Sequence, residues 1–217
     1  QRRAKGVAGG QLVTRRLFNA PAAFNAGNIG LAVTSSSNMG MCTIKRGHKP
    51  YANVVAGRSG IDRYFEITPS TSGAPATLRF YYFDVENSPA YPEAALTLFN
   101  SPDGGTTWIP VGKANQDTTA DWVEQSGLDP AGLWTLADCG FITPSFACPT
   151  NASVDCQEGP PLDLAGFVAA GGDTTDNCVS LNRASFKHVG DQILNMTCAS
   201  RYDVERTYEI ENERGVK

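Results

Sequence analysis

Charged side chains make up only 18% of this 217-residue chain, against roughly 25% in an ordinary globular domain. Histidine occurs twice, at His48 and His188, and no C-x-x-C pair is present. Zinc sites need thiolates paired at short spacing, and thioredoxin chemistry needs C-x-x-C, so neither is expected. A G-x-S-x-G elbow, a phosphate loop and a dinucleotide fingerprint are missing too. The longest uncharged stretch, Leu17 to Ile44, is broken by Asn19, Asn25, Asn28, Asn38 and Ser35-Ser36-Ser37. It therefore lacks the roughly 20 consecutive apolar residues of a membrane-spanning helix. Helix-favouring residues do not dominate, and 22 Gly with 13 Pro disfavour long helical bundles.

Hydrophobic residues reach 41%, enough for a folded core, and the length suits one large domain or two small ones. Charge is unevenly spread. Arg2, Arg3, Lys5, Arg15 and Arg16 stand in the first 16 residues without an acid among them. The remainder carries 13 basic and 22 acidic residues. A nucleic-acid binder shows a basic patch on its folded body; here the body is acidic and would repel phosphates. Two readings of the basic end stand side by side: an exposed strand or linker, and a contact with an acidic surface. Gln1-Arg2-Arg3 lacks an apolar signal core, and a segment of a longer protein is expected.

Cysteine is even in number: Cys42, Cys139, Cys148, Cys156, Cys178 and Cys198. Such spacing suits cross-links in an exported protein. A unit boundary near Cys148 would pair Cys42 with Cys139 and leave three pairings open for the other four. Cys156–Cys178 with Cys148–Cys198 is the assignment carried forward; the alternative is that some of the six are buried thiols.

Strand patterns run throughout. In Ala76–Phe83, Leu78, Phe80 and Tyr82 alternate with Arg79 and Tyr81, the period of a half-buried strand. Asp62–Ile67, Ala95–Phe99 and Thr106–Val111 are similar, with Leu12–Phe18, Ile29–Thr34, Met41–Arg46, Asp121–Glu124 and Leu133–Leu136 as further candidates. Turn signals every ten or so residues predict an all-β sandwich. Residues 137–150 lose the periodicity and read as a linker. After them come Ala152–Cys156, Cys178–Phe186 and Tyr202–Glu211. In the last, Tyr202, Val204, Tyr208 and Ile210 share a face, with Arg206 the exception whose stem can snorkel. The expected organisation is a basic arm or strand over 1–20, a sandwich over 21–146 and a small immunoglobulin-like sandwich over 147–217. The second is short of the usual 100 or so residues, so it is either incomplete or receives a strand from a neighbour.

Ser101-Pro-Asp-Gly-Gly-Thr-Thr-Trp108 resembles the Asp-box of sialidases and related propellers. There it is a structural hairpin, with Ser and Asp bonding the turn and Trp packed beneath; one copy implies a stabilised hairpin here. Two carboxylate pairs, Asp84 with Glu86 and Asp173 with Asp176, are candidates for glycosidase acids and for Ca²⁺ donors. Without a D-x-D-x-D-G run no complete shell is supplied, so solvated acids are the plainer reading and no cofactor is expected beyond a structural Ca²⁺. Trp108, Trp122 and Trp134 are either a sugar-stacking platform or core and rim residues. Asn151-Ala-Ser153 and Asn195-Met-Thr197 are N-glycosylation triplets.

The stretch from Thr43 to Leu136 resembles a recurrent module of very large secreted surface proteins of Bacteroidota. The matching pieces are Ile44–His48, Ile61–Pro69, Ala76–Asp84, Leu96–Trp108 and Leu128–Thr135. Cys148–Cys156, Thr175–Cys178 and Val204–Ile210 are similar to the HYR-type, immunoglobulin-like repeats of such proteins. These repeats typically continue with Asp-x-Cys-Gly-Asn, where this chain has Glu211-Asn-Glu-Arg-Gly215. The resemblance implies export, often by the type IX system, display at the cell surface, and an adhesive, filament-forming or gliding role. It implies no catalytic residues.

The sequence thus predicts a non-catalytic structural or adhesive module that contacts other copies or other domains of one surface assembly. Arg2, Arg3, Arg15, Arg16, Tyr202 and Val204 are the expected contact residues. The alternative is a carbohydrate-binding module using Tyr81, Tyr91 or Trp122 on a glycan. A hydrolase is the third reading, and would need His48 or His188 beside an acid and a nucleophile. Neither nucleic acid nor membrane insertion is expected.

Overall fold

The structure is a computed structural model, described here for residues 10–71, 73–87, 91–141, 147–149, 163–173, 181–198, 201–212 and 215–217. Its strands are β1 (Gln11–Asn19), β2 (Leu31–Thr34), β3 (Asn38–Gly47), β4 (Tyr64–Thr68), β5 (Ala76–Tyr81), β6 (Leu96–Ser101), β7 (Ile109–Gly112), β8 (Asn115–Asp117), β9 (Trp122–Leu128), β10 (Gly132–Asp138), β11 (Leu181–Cys198) and β12 (Arg201–Asn212). One short helix, α1 (Leu164–Ala169), and four 3-10 turns complete the described elements. The chain divides into two compact units, Gln1–Cys139 and Gly140–Lys217.

In the first unit an antiparallel sheet of six strands, β1-β3-β4-β10-β6-β7, packs against one of four, β2-β5-β9-β8. The all-β sandwich is as expected. Alternation builds it: Ala76, Leu78 and Phe80 of β5 are buried while Thr77, Arg79 and Tyr81 are not, so one face of the strand meets the core. Phe80 sits edge-on to Phe65 with ring centroids 4.8 Å apart, a favoured aromatic geometry. β10 departs from alternation. From Leu133 to Asp138 every residue is buried, and the segment leading into β4 is bonded to it. Ile61 N–H there donates to Leu136 O at 2.9 Å.

The Asp-box hairpin joins β6 to β7. Ser101 Oγ donates to Asp103 Oδ1 (2.8 Å) and accepts from Gly105 N (2.7 Å). Asp103 also accepts from the Thr106 and Thr107 N–H groups and the Thr107 hydroxyl. These bonds hold the Asp103 carboxyl down to about 2, since each favours the charged form. Gly105 adopts φ +100°, and a Cβ there would lie 2.7 Å from the Tyr51 ring. Trp108 packs on that same Tyr51, at 5.4 Å between centroids.

In the second unit the described residues form one two-stranded sheet, β11 with β12, rather than two facing sheets. α1 starts at Asp163, whose side chain accepts from Gly166 N (2.8 Å), an N-cap bond. It delivers Phe167, fully buried, against Phe186 and Tyr208 with ring centroids 5.2 and 5.0 Å away. That covers the end of the hairpin holding Tyr208 and Ile210. Farther along the same face Ile193, Val204 and Tyr202 remain exposed at 54%, 39% and 39%. Arg206 does not snorkel freely: its guanidinium forks onto Asp191, Nε to Oδ1 at 2.7 Å and Nη2 to Oδ2 at 2.6 Å.

Cysteine pairing differs from expectation. Cys42 is a buried free thiol and Cys148 an exposed one, so neither Cys42–Cys139 nor Cys148–Cys198 exists. Cys42 lies on β3, paired in register with Arg16 of β1; its short side chain behaves as a core hydrophobe. Burial alone pushes its thiol up. Cys156 and Cys178 lie outside the described residues.

Candidate functional site

Each histidine sits beside a carboxylate that an arginine already engages. His188 Nε2 lies 2.7 Å from Asp191 Oδ1 on the exposed hairpin, and Asp191 is already clasped by Arg206. The Arg206 guanidinium also bonds the Tyr208 phenol, whose ring lies 6.2 Å from that of His188. His48 stands at the rim of a buried charge cluster. Its Nδ1 is 3.7 Å from Glu86 Oε1, and its Nε2 is buried without a partner.

That cluster is an inter-sheet brace. Arg46 ends β3, Arg63 precedes β4, and Glu86 lies in the 3-10 turn after β5. Arg46 and Arg63 are 2% and 0% exposed. Arg63 Nη2 reaches both Glu86 oxygens, at 2.7 and 2.5 Å, and Arg46 Nη2 reaches Oε1 at 3.2 Å. Arg46 Nη1 donates to Ile29 O, Arg63 Nη1 to Tyr81 O, and Phe83 N–H to Glu86 Oε2. Two guanidiniums share one carboxylate, so the cluster is cationic. Desolvation brings Arg63 down to about 10 despite Glu86. Burial, then Arg46 and Arg63, push His48 below the ordinary imidazole value, with Glu86 opposing.

Glu86 is therefore not the partner of Asp84. Asp84 instead joins Glu93 and Asp121, all three offering oxygens within 4.8 Å of one another. All-oxygen donors suit Ca²⁺, but three side chains fall short of its six to eight ligands. Asp173 is tied through its backbone to Ala147, and Asp176 lies outside the described residues.

The tryptophans do not form one platform. Trp134 is 2% exposed and donates to Pro130 O, while Trp108 packs on Tyr51. Tyr91 is also buried, at 5% exposure, with its hydroxyl donating to Ser59 O; it cannot stack on a glycan. Tyr81 and Trp122 are cross-strand partners on the outer face of the four-stranded sheet. There Arg79 lies over the Trp122 ring at 4.0 Å and is ion-paired to Glu124 at 2.7 Å.

The expected contact residues fall on two surfaces. β1 is the terminal strand of its sheet, bonded only to β3 among the described residues. Val13 and Leu17 are exposed at 61% and 63%, and Arg15 and Arg16 are exposed without an acidic partner among the described residues. Beside Leu17 an open hollow of about 280 Å³ is lined by Asn19, Pro21 and Phe24. Tyr202 and Val204 lie on the uncovered part of β12. Arg2 and Arg3 lie outside the described residues. Sequence reasoning missed the Arg46–Arg63–Glu86 brace, because its members are 17 and 23 residues apart and each alone reads as a surface charge. Comparison with protein-family models, curated proteins and solved structures gives no match.

Proposed function

We propose that this chain is a non-catalytic extracellular module of a large surface protein or filament, holding neighbouring copies or domains through its strand edges. Export, surface display and disulfide cross-linking among the cysteines other than Cys42 and Cys148 belong to the same reading, as does the likeness to Bacteroidota surface proteins. The observation that supports it most is β1, bonded to one strand among the described residues, with Val13 and Leu17 exposed beside the exposed Arg15 and Arg16. Charge and the irregularity at Phe18/Asn19 guard this edge against indiscriminate pairing, so a strand that joins it must carry complementary charge. Sedimentation of the 217-residue chain over a wide concentration range tests it. Assemblies that grow with concentration are expected, and a single 23 kDa species throughout would overturn it.

A second reading, glycan binding, is supported by the Tyr81–Trp122 pair alone. On a glycan array, Trp122→Ala abolishes whatever signal that face produces; a blank array with the unaltered chain removes this reading.

A further inference from the structure

We propose that β1 of one copy pairs antiparallel with β12 of a second copy, a head-to-tail contact that propagates. It rests on the assembly reading above and names its partner and chemistry. β1 and β12 each have one free edge among the described residues, and outward-turned N–H and C=O groups on such edges accept a further strand.

Charge selects the pairing. Gln11–Asn19 carries Arg15 and Arg16 and no acid, while Arg201–Asn212 carries four acids, Asp203, Glu205, Glu209 and Glu211, against Arg201 and Arg206, and Arg206 is taken up by Asp191. Glu209 is engaged by Lys187 and Lys217. Asp203 accepts only from the neutral Asn195 amide, at 2.8 Å, and Glu205 has no ion pair among the described residues. Two β1 strands paired about their centre would set arginine against arginine. Two β12 strands paired about Val204 would oppose Asp203 to Glu205. Like charges directly opposite destabilise a sheet pair, so both symmetric contacts are disfavoured and the mixed one is favoured.

One register satisfies charge and apolar surface together. Setting Arg16 opposite Asp203 brings Glu205 to the diagonal position, within reach of a long side chain. The alternation of strands then sets Leu17 opposite Tyr202 on the other face, beside the hollow lined by Pro21 and Phe24. Because the two surfaces differ, the contact is heterologous and builds rings or filaments rather than closed dimers.

Three full-length variants test the contact, each checked for its native circular dichroism. R16E and D203K/E205K should each weaken self-association about tenfold or more, since an attraction becomes a repulsion. The combined R16E/D203K/E205K chain should regain it. As a readout that does not depend on those variants, L17C and Y202C proteins, each also carrying C148S, should form a mixed disulfide dimer on oxidation. A monomeric unaltered chain refutes the assembly reading itself. Normal assembly by D203K/E205K, absence of the mixed dimer, or a crosslink only within one chain carrying both cysteines refutes this contact alone.

Discussion

Glu86→Gln removes the only carboxylate that Arg46 and Arg63 share in the brace. The amide still accepts one bond, but two buried guanidiniums lose their counter-charge. Breaking a buried pair by removing one partner costs about 3–5 kcal/mol, because the remaining charge stays desolvated. The retained acceptor places this variant near the low end, about 3 kcal/mol. With a urea m-value of about 1.5 kcal/mol/M, the midpoint falls by about 2 M. Tryptophan fluorescence is the appropriate assay, since Trp108, Trp122 and Trp134 all lie in the first unit. Arg46→Met gives the internal control. It leaves Arg63 and Glu86 as a matched pair, so it costs less than Glu86→Gln, and combined with Glu86→Gln it recovers part of the loss. A midpoint drop under about 0.5 M for Glu86→Gln, or a larger loss for Arg46→Met, refutes the view that Glu86 neutralises this core.

His48 has a lowered folded-state value, so the unfolded chain binds the extra proton first. Stability is intact above about pH 6.5 and falls as pH drops toward the folded value; His48→Gln should flatten that part of a urea midpoint-versus-pH curve. Asp103, held at about 2, contributes stability above its ordinary value of 3.8 that disappears as pH falls toward 2; Asp103→Ala lowers the melting temperature at neutral pH and removes this acid dependence. Among the described cysteines, Cys148 reacts with a thiol reagent in the native chain and Cys42 only after unfolding, which mass spectrometry of alkylated peptides resolves; rapid native labelling of Cys42 contradicts its burial. Phe80→Ala, which empties a fully buried site against Phe65, costs about 3–5 kcal/mol by chemical denaturation.

The strands of the first unit other than β8 were legible because each carries its own signal. β5 alternates over six residues, and the turn before Trp108 spells out its bonds within eight positions. β8 was not legible: Asn115-Gln116-Asp117 has no apolar residue, and it is a strand only because β9 lies beside it. β11 was legible as far as Phe186, whereas its continuation through Val189-Gly190-Asp191 is interrupted by register shifts that blur the period. The Cys42–Cys139 assignment failed for a related reason. Even parity says nothing of geometry, and a small apolar thiol fits a core strand as well as a cross-link. The proposed contact residues were recognised as charge and strand pattern; the exposure of Arg15, Arg16, Tyr202 and Val204 required the fold.

Exposure on β12 is physically informative because it is not uniform. α1 covers the Tyr208–Ile210 end and stops, leaving Val204 and Tyr202 uncovered on a continuous face. An isolated two-stranded sheet is marginal in water, and an aromatic cluster of Phe167, Phe186 and Tyr208 supports only the end it touches. Running β12 for twelve residues with alternating apolar positions is therefore unfavourable for a unit whose face stays in solvent. It is favourable for one that completes its sheet against another surface. β1 presents the reciprocal case: it ends a six-stranded sheet and leaves Val13 and Leu17 in water, while its arginines are well solvated. The proposed pairing would cover apolar groups of both strands in one contact, with Arg16 and Asp203 setting its direction.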